Sequence, residues 1–458
     1  MPGILEALHI AKSALELQQY GIQVTGHNIA NANTEGYTRQ RVVSEARAPL
    51  ETPYGMLGTG VQVAEIERTR ERFLDEQVRT ASGDLGKWAQ AERALSEVEG
   101  VFAEPSEGGL NSLLREFWDS WRALADNPED YAARQVVLGK AETLVDAFHR
   151  LDRQLREVQY NMNFLVDSKV EEINRIAGRI AELNVQILYI ESRGSQANDD
   201  RDRRDLLLDE LSKLVDVQVV EGSDGMVNVF LDGRPLVEGK EVSELDTLPV
   251  AEEGHPVEKV IWKQGAREVQ ISGGELGGIL EVRDDKINAY LDRLDRLART
   301  LAEEVNSIHR NGYTLNGATD VDFFDSDVQG AADIELSDAV KDNPSNIAAS
   351  GDGHPGDGSN ALAIADLEYE QAIEHFTLDG YYRSLISQVG QDLQEAQFMR
   401  DNYELLLKRF ENERESAIGV SLDEEMVKLI QYQHAYTAAA RLTSVVDQMI
   451  RTVLDMVG

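Results

Sequence analysis

Apolar side chains recur at alternating steps of three and four residues at both ends of the chain. At the N-terminal end these positions are Ile4, Leu8, Ala11, Leu15, Ile22 and Ile29. At the C-terminal end two such rows run along neighbouring faces, and they include Leu422, Met426, Leu429, Tyr436, Ala440, Leu442, Val446, Ile450 and Leu454. Rows of this kind are typical of a helix that packs along another helix. The pattern therefore predicts long N- and C-terminal helices that pair as a coiled coil, with a second contact face on the C-terminal helix.

Between the two ends the pattern changes twice. Residues 61–215 are predicted to be mostly helical, with one long helix over about 132–192, whereas a period of two over 216–275 predicts short β-strands. A helical row resumes at Ile287 and continues to Ile308. The fold is therefore predicted to be mainly α with an inserted small β domain. The predicted domains are an axial core (1–60 with 415–458), a helical domain (61–215 with 276–414) and the β domain (216–275).

Two polar segments resemble ligand-binding loops in composition, but neither has the residues that such a loop requires. In the acidic segment 198–205, a calcium loop would need a glycine where Asp205 stands. This segment is predicted to begin a helix with exposed charges, with Asn198 and Asp199 as caps. Residues 273–278 lack the lysine and hydroxyl of a phosphate-binding loop, so they are predicted to form a hinge between strand and helix. No catalytic, cofactor-binding or metal-binding residue is predicted, and the chain is expected not to be an enzyme.

The net charge of −38 changes the picture of possible partners. Residues 1–80 carry 8 basic and 10 acidic side chains, and residues 419–458 carry 3 and 5, so most of the excess acid lies in the middle. Nucleic acid and anionic membrane surfaces are both unfavourable partners for such a chain. There are no cysteines, which excludes disulfides and thiolate metal sites. No cleaved signal peptide and no membrane-spanning run are expected.

The N-terminal row is too sparse to stabilise a free helix. Ordering the backbone costs more than a few apolar positions return, and Gly21 and Gly26 weaken the helix further. We therefore expect both terminal helices to gain their order on assembly or on binding a chaperone.

A short motif follows the first helix. It comprises Asn28, Ala30, Asn31, Thr34, Gly36, Tyr37, Arg39 and Gln40. This motif resembles the N-terminal signature of the bacterial flagellar rod and hook axial proteins, and the segments 202–211, 273–280 and 419–436 are similar to further family motifs. The chain is most similar to the hook-associated members of that family, although it is shorter than the longest of them.

The resemblance implies a structural subunit that joins the flagellar hook to the filament. A ring of copies would self-associate through the paired terminal helices, with the hook protein and the second hook-associated protein as neighbours. It also implies export through the flagellar type III apparatus, a cytoplasmic export chaperone at the C-terminal helix, and an extracellular location. The alternatives are another axial subunit of hook or rod type and an exported adhesin-like binding protein. An exported hydrolase is a third alternative.

Overall fold

Long helices account for most of the protein. The structure is a computed structural model that describes residues 2–53, 55–102, 108–252 and 255–457. The helices are α1 (Pro2–Asn31), α2 (Arg72–Phe102), α3 (Leu110–Asp126), α4 (Tyr131–Glu191), α5 (Asn198–Leu214), α6 (Gly274–Leu280), α7 (Ile287–His309), α8 (Asp338–Asp342), α9 (Ser359–Asp366), α10 (Leu378–Ile418) and α11 (Leu422–Val457). A π-helical turn, Glu281–Lys286, joins α6 to α7. The prediction of a mainly α fold with a small β component is confirmed.

The strands form small antiparallel sheets. They are β1 (Gln40–Ala46), β2 (Leu50–Thr52), β3 (Gly55–Leu57), β4 (Val61–Arg68), β5 (Gln218–Glu221), β6 (Val227–Leu231), β7 (Arg234–Glu238), β8 (Glu241–Val242), β9 (Leu245–Glu252) and β10 (His255–Trp262). The order β5-β6-β7-β8 makes one sheet, and the pairs β1-β4, β2-β3 and β9-β10 make two-stranded ribbons.

The β1-β4 ribbon corrects the prediction that helix begins at residue 61. Val61 pairs with Ala46 and Arg68 pairs with Gln40, so this segment is a strand beside α1, and the helix α2 begins at Arg72. Val61 and Val63 alternate with polar residues, which is the period of a strand and not of a helix. The ribbon thus connects the terminal helices to the helical domain.

Four helices form the centre of the helical domain. The helices α2 and α7 each pack against both α4 and α10, so α4 and α10 lie on opposite sides. Helix α3 packs against α4 and α9; its Trp118 and Trp121 are fully buried, and the Trp121 ring contacts Phe323. The apolar row predicted over 287–308 lies on α7 and faces this core.

Glycines let α6 cross α2 at very short range. A Cβ atom at Gly278 would lie 2.2 Å from the backbone oxygen of Lys87, so only glycine fits at this crossing. Gly274 has a positive φ of 72°, and its Cβ would lie 2.4 Å from the backbone of Leu214. The segment leads into α6 as predicted, but β10, the last strand before it, ends at Trp262, so no strand runs directly into it. Its glycines also serve close packing.

The strands β5 to β10 attach to the side of α4. The buried side chain of Asn184 donates hydrogen bonds to the backbone oxygens of Val227 (2.8 Å) and Gly239 (2.6 Å). About three helical turns earlier on α4, Asn174 both donates to and accepts from the backbone of Leu245 at 2.8 Å. These amides fix the small β region against one long helix.

Candidate assembly interface

The two terminal helices, α1 and α11, pack side by side. Gly21 on α1 faces the ring of Tyr432 on α11, where a Cβ atom would lie 2.7 Å from the ring carbons. Ala11 on α1 and Val446 on α11 are buried in the same pair. Because glycine and alanine stand at the closest positions, the two helices approach each other tightly.

The structure separates the predicted apolar positions into buried and exposed groups. On α1, Ala11 is buried, while the half-buried members are Ile4, Leu8, Leu15, Ile22 and Ile29. On α11, Val446 is buried, while the half-buried members are Leu429, Ala440 and Ile450. The exposed members are Leu422, Met426, Tyr436, Leu442 and Leu454. Only part of the C-terminal set therefore faces α1.

A second apolar row on α11 faces away from α1. It consists of Ala438, Leu442, Val445, Met449, Thr452 and Met456, which follow one another at steps of four and three. We call this row the outer stripe. Its large members are exposed, from 46% for Leu442 to 80% for Met456. An exposed apolar row of this length is typical of a surface that binds another helix.

Asn28, in the sequence motif, ties the end of α1 to both β1 and α11. Its side-chain nitrogen donates to the backbone oxygen of Gln40 and to a carboxylate oxygen of Glu425, both at 2.9 Å. Its side-chain oxygen accepts from the Tyr37 hydroxyl (2.7 Å) and from the backbone N–H of Gln40 (3.0 Å). All the hydrogen-bonding capacity of this buried amide is used.

Glu425 is the partner of this motif at the other end of the chain. Its carboxylate is buried and accepts from Arg39 at 2.9 Å and from Lys428 at 3.2 Å, in addition to Asn28. Burial acts to raise the pKa of Glu425, but the bonds from Asn28, Lys428 and Arg39 outweigh it and lower the pKa. The carboxylate is therefore held ionised. We call Asn28, Arg39 and Glu425 the terminal clasp.

The other motif residues shape the turn after α1. Thr34 donates to Asn31 at 3.2 Å, and Asn31 donates to the backbone oxygen of His27 at 3.0 Å. Gly36 has a positive φ of 74° and packs over Leu206. The side chain of Gln40 donates to Asp199 on α5 at 2.8 Å, whereas Ala30 is exposed. The turn thus rests on α5.

The charges of segment 198–205 are not uniformly exposed, so that prediction is wrong. Asp202 and Arg204 are buried, and Arg68 donates to Asp202 at 2.6 Å and to Asp205 at 2.8 Å. Burial acts to raise the pKa of Asp205, but Arg70, Arg68 and Arg79 together hold it at about 2. The helix does begin at residue 198, as predicted.

The predicted caps of that helix have other roles. Ala197 occupies the cap position, and no side chain caps the helix there. Asn198 donates to the backbone oxygen of Ile66 on β4 at 2.8 Å, and Asp199 accepts from Gln40. Both side chains therefore bind the β1-β4 ribbon instead of their own helix.

The ion network continues into the helical domain. Arg79 on α2 donates to Asp209 at 2.7 Å, and Arg414 on α10 donates to the same carboxylate at 2.7 Å. Arg70, just before α2, pairs with Asp75 at 2.7 Å. These paired charges join the terminal part of the protein to α2, α5 and α10.

Sequence reasoning missed Glu425 and Asp202 as functional residues. One signal was available for Glu425, because it stands four residues before Leu429 and seven before Tyr432, in the row that faces α1. A carboxylate at such a position indicates a buried polar contact. For Asp202 no comparable signal existed, because its partner Arg68 lies 134 residues away.

Within 2–53, 55–102, 108–252 and 255–457, histidine and acidic side chains form no group of three or more that could hold a metal ion. Among the same residues, no helix is long and apolar enough to cross a membrane.

Three protein-family models match this chain. The model described as the flagellar hook-associated protein FlgK helical domain matches residues 95–324. The flagella basal body rod protein model matches residues 8–38, and the flagellar basal body rod FlgEFG protein C-terminal model matches residues 415–456. The last two cover most of α1 with the first part of its motif, up to residue 38, and nearly all of α11.

The similar proteins are named as flagellar hook-associated or hook junction proteins. The chain is 34% identical to flagellar hook-associated protein 1 of Bacillus subtilis, over 100% of this chain and 99% of that protein. It is 32% identical to the Salmonella typhimurium protein of the same name, over 69% of this chain and 58% of that protein. The flagellar hook junction protein FlgK from Burkholderia pseudomallei has a similar fold, with a TM-score of 0.67 and 16% identity over 75% of this chain and 100% of that one.

Proposed function

The chain belongs to the flagellar hook-associated protein 1 family, and from that premise we propose that it joins the hook to the filament as a ring of copies. Members of this family are structural components of the flagellum, and no enzymatic role is proposed. The neighbours in the assembled flagellum would be the hook protein on one side and the second hook-associated protein on the other. The protein reaches this extracellular position through the flagellar type III export apparatus.

The observation that carries this proposal is the outer stripe on α11. In the pair of α1 and α11, one face of each helix is already packed against the other helix. On α11, Leu442, Val445 and Met449 nevertheless remain exposed in an unbroken row. Burying such a row is favourable by about 25 cal/mol for each Å² removed from water. We propose that the terminal helices of neighbouring copies cover it in the assembled tube, and that an export chaperone covers it beforehand in the cytoplasm.

The domain arrangement follows from the same proposal. The axial core (1–60 with 415–458) lines the tube, the helical domain (61–215 with 276–414) surrounds it, and the β domain (216–275) faces outward. The concentration of acidic residues between positions 80 and 419 supports this order, because charge is costly in a dry interface and harmless in water.

Substitution on the outer stripe tests the proposal. Leu442→Asp and Met449→Asp place a carboxylate on exposed apolar positions of the outer stripe, and Ser444→Asp is the matched control at an exposed position off the stripe. Each variant replaces the native copy in a motile strain. We expect the two stripe variants to be absent from sheared flagella and to leave the cells without attached filaments, whereas the control assembles.

Circular dichroism of the purified variants shows whether a substitution has disturbed the fold rather than the assembly surface. Because all three positions are exposed, the helical domain should unfold at the same urea concentration in each variant. Normal filament attachment with Leu442→Asp and Met449→Asp would refute the proposed role of the stripe.

A further inference from the structure

A cavity of about 610 Å³ lies where α2 and α5 meet the strands β4 and β5. Its wall is formed by the first part of α2, the second half of α5, the whole of β5 and the last residue of β4. A volume of this size is typical of a pocket that holds a small molecule. Five arginines line it, namely Arg68, Arg70, Arg72, Arg79 and Arg204. We call this space the arginine cavity.

Four of the five arginines are paired with carboxylates of this chain. The pairs are Arg68 with Asp205 (2.8 Å), Arg70 with Asp75 (2.7 Å), Arg72 with Glu221 (2.6 Å) and Arg79 with Asp209 (2.7 Å). In each pair a charge-assisted hydrogen bond within the chain compensates the positive charge. These four arginines therefore need no ligand to balance them.

Arg204 is buried and has no such pair. It is 1% exposed, and its Nη1 donates to the side-chain oxygen of Asn184 at 3.0 Å and to the backbone oxygen of Gly225 at 2.7 Å. Both acceptors are neutral, and burial lowers the pKa of Arg204 to about 10. The fold therefore holds a desolvated cation whose counter-charge is incomplete, which is unfavourable unless an anion joins it.

The edge of Arg204 that lacks partners is the one that binds oxyanions. Within the described residues, its Nε is buried without a hydrogen-bond partner, and its Nη2 lies 3.8 Å from a carboxylate oxygen of Glu221, which is beyond hydrogen-bond distance. The two oxygens of Glu221 already accept from Arg201 and Arg72. The parallel N–H groups of Nε and Nη2 match two oxygens of a carboxylate or a phosphate.

Acidic residues in the lining restrict the kind of anion that can bind. Asp75, Glu76 and Asp84 lie on α2, and Asp216 follows the end of α5. These side chains repel any negative charge of a ligand that is not placed against Arg204. The cavity therefore favours a ligand with one compact oxyanion over a polyanion.

We propose that the arginine cavity binds a small molecule through one carboxylate or phosphate group, which Nε and Nη2 of Arg204 hold in a bidentate contact. The site shares no residue with the outer stripe or the terminal clasp. It adds a ligand-binding function to the structural role proposed above and does not depend on that role. Because β4, α2, α5 and β5 all contribute to the wall, a bound ligand ties these elements together.

Nuclear magnetic resonance of the arginine Nε–H groups tests the proposal in the purified full-length chain. The chain is labelled with ¹⁵N-arginine and kept in Tris chloride, and it is titrated with inorganic phosphate in one series and with acetate in another, at constant ionic strength. We expect one Nε–H signal to shift until it saturates, and this signal to be absent from Arg204→Lys. The anion that saturates at the lower concentration identifies the oxyanion that the cavity prefers.

A pair of lysine variants measures the contribution of the bidentate edge. Arg204→Lys keeps the charge but removes the two parallel donors, so the affinity for the preferred anion should fall about tenfold or more. Arg203→Lys is the matched control, because Arg203 is the preceding residue on α5 and is exposed. It should bind the anion as tightly as the native chain.

A second pair tests the site without changing α5, in case Arg204→Lys fails to fold. Val220 lines the cavity and is exposed on β5, so Val220→Glu and Val220→Gln differ only in charge at the same position. The glutamate variant should bind the anion about tenfold more weakly than the glutamine variant, because its carboxylate repels the ligand. Equal affinity of these two variants would place the bound anion outside the cavity and overturn the proposal. The proposal would also be wrong if neither phosphate nor acetate gave a saturating shift in the native chain.

Discussion

The apolar rows of α7 and α11 look alike in sequence and differ in what covers them. On α7, Leu294 and Leu301 are 0% exposed, because α4, α9 and α10 pack around the helix. On α11, Leu442 and Leu454 keep about half of their surface in water. A heptad row therefore predicts a helix and its apolar face, but it does not show whether the surface that buries this face belongs to the same chain. For the terminal helices, the function proposed above assigns this surface to another molecule.

The largest expected difference is in local stability. In the free chain, amide hydrogens of α7 should exchange only through global unfolding, which costs about 5 to 15 kcal/mol in typical domains. Those of residues 4–30 and of α11 should exchange with little protection, since the pair buries few side chains. Hydrogen exchange followed by mass spectrometry measures both in one sample. Equal protection of α1 and α7 would contradict the expectation that the termini gain their order on assembly.

Truncating one leucine in each row sharpens the same contrast. Leu294→Ala should lower the free energy of unfolding by about 2 to 5 kcal/mol, because it opens a cavity in a packed core. Leu442→Ala, the matched change on the outer stripe, should alter it by about 0.5 kcal/mol or less. Urea denaturation of both variants compares them. A large loss for Leu442→Ala would mean that the stripe is already covered within one chain.

Acid should weaken the helical domain before it affects the terminal clasp. Burial lowers the pKa of His309 from 6.5 to about 4, and the neutral ring donates to the backbone oxygen of Val321 at 2.6 Å and accepts from the N–H of Ala348 at 2.8 Å. Its stabilisation is complete above pH 6.5 and is lost as the pH falls towards 4. The loss amounts to about 3 kcal/mol.

Urea midpoints between pH 7 and pH 4 measure this dependence. The variant His309→Gln should be less stable at pH 7 and should lose less stability on acidification than the native chain. If the native chain and the variant had parallel pH profiles, His309 would not be the responsible group.

The smallest expected effect comes from the terminal clasp. Glu425→Gln keeps the size of the side chain but removes the charge that Arg39 and Lys428 bind, which should loosen the α1–α11 pair by about 1 to 3 kcal/mol. The pKa of Glu425 is lowered, so the native clasp should persist above its ordinary value of 4.5 and weaken only below it.

Exchange of α1 amides in Glu425→Gln and in the exposed control Asp423→Asn, outside the clasp, provides the measurement. Only the first variant should exchange faster, and the urea midpoint of the helical domain should stay the same in both. Identical α1 exchange in the two variants would show that the clasp contributes nothing.

Local patterns of the sequence were sufficient to predict the long helices. The predicted helix over 132–192 is α4 (Tyr131–Glu191), and the row from Ile287 lies on α7, because a helix depends on residues three and four apart. The β-strands of the 216–275 region were also predicted, although residues 269–271 form no regular strand. The neighbouring Glu268 makes an isolated bridge with Ile261.

Contacts between distant parts of the chain could not be predicted in this way. Asn28 and Glu425 are 397 residues apart, and neither local sequence indicates that the two residues are in contact. The burial of Asp202 depends equally on Arg68, which the sequence places on another element. Charged residues in alternating order predict a solvated helix face unless their partners are known. The sequence therefore predicts exposed charges where the structure has an ion network.

One long helix gives the subunit a stiffness that its separate parts would not have. Helix α4 runs for 61 residues without a break, a length of about 90 Å. Near its start Arg134 donates to the backbone oxygen of Pro128 at 3.1 Å, and at its end Glu191 accepts from Arg201 at 2.6 Å. Bending or twisting such a rod strains many backbone hydrogen bonds at once. In the arrangement proposed above, α4 would therefore transmit a bending or twisting load along its length with little loss.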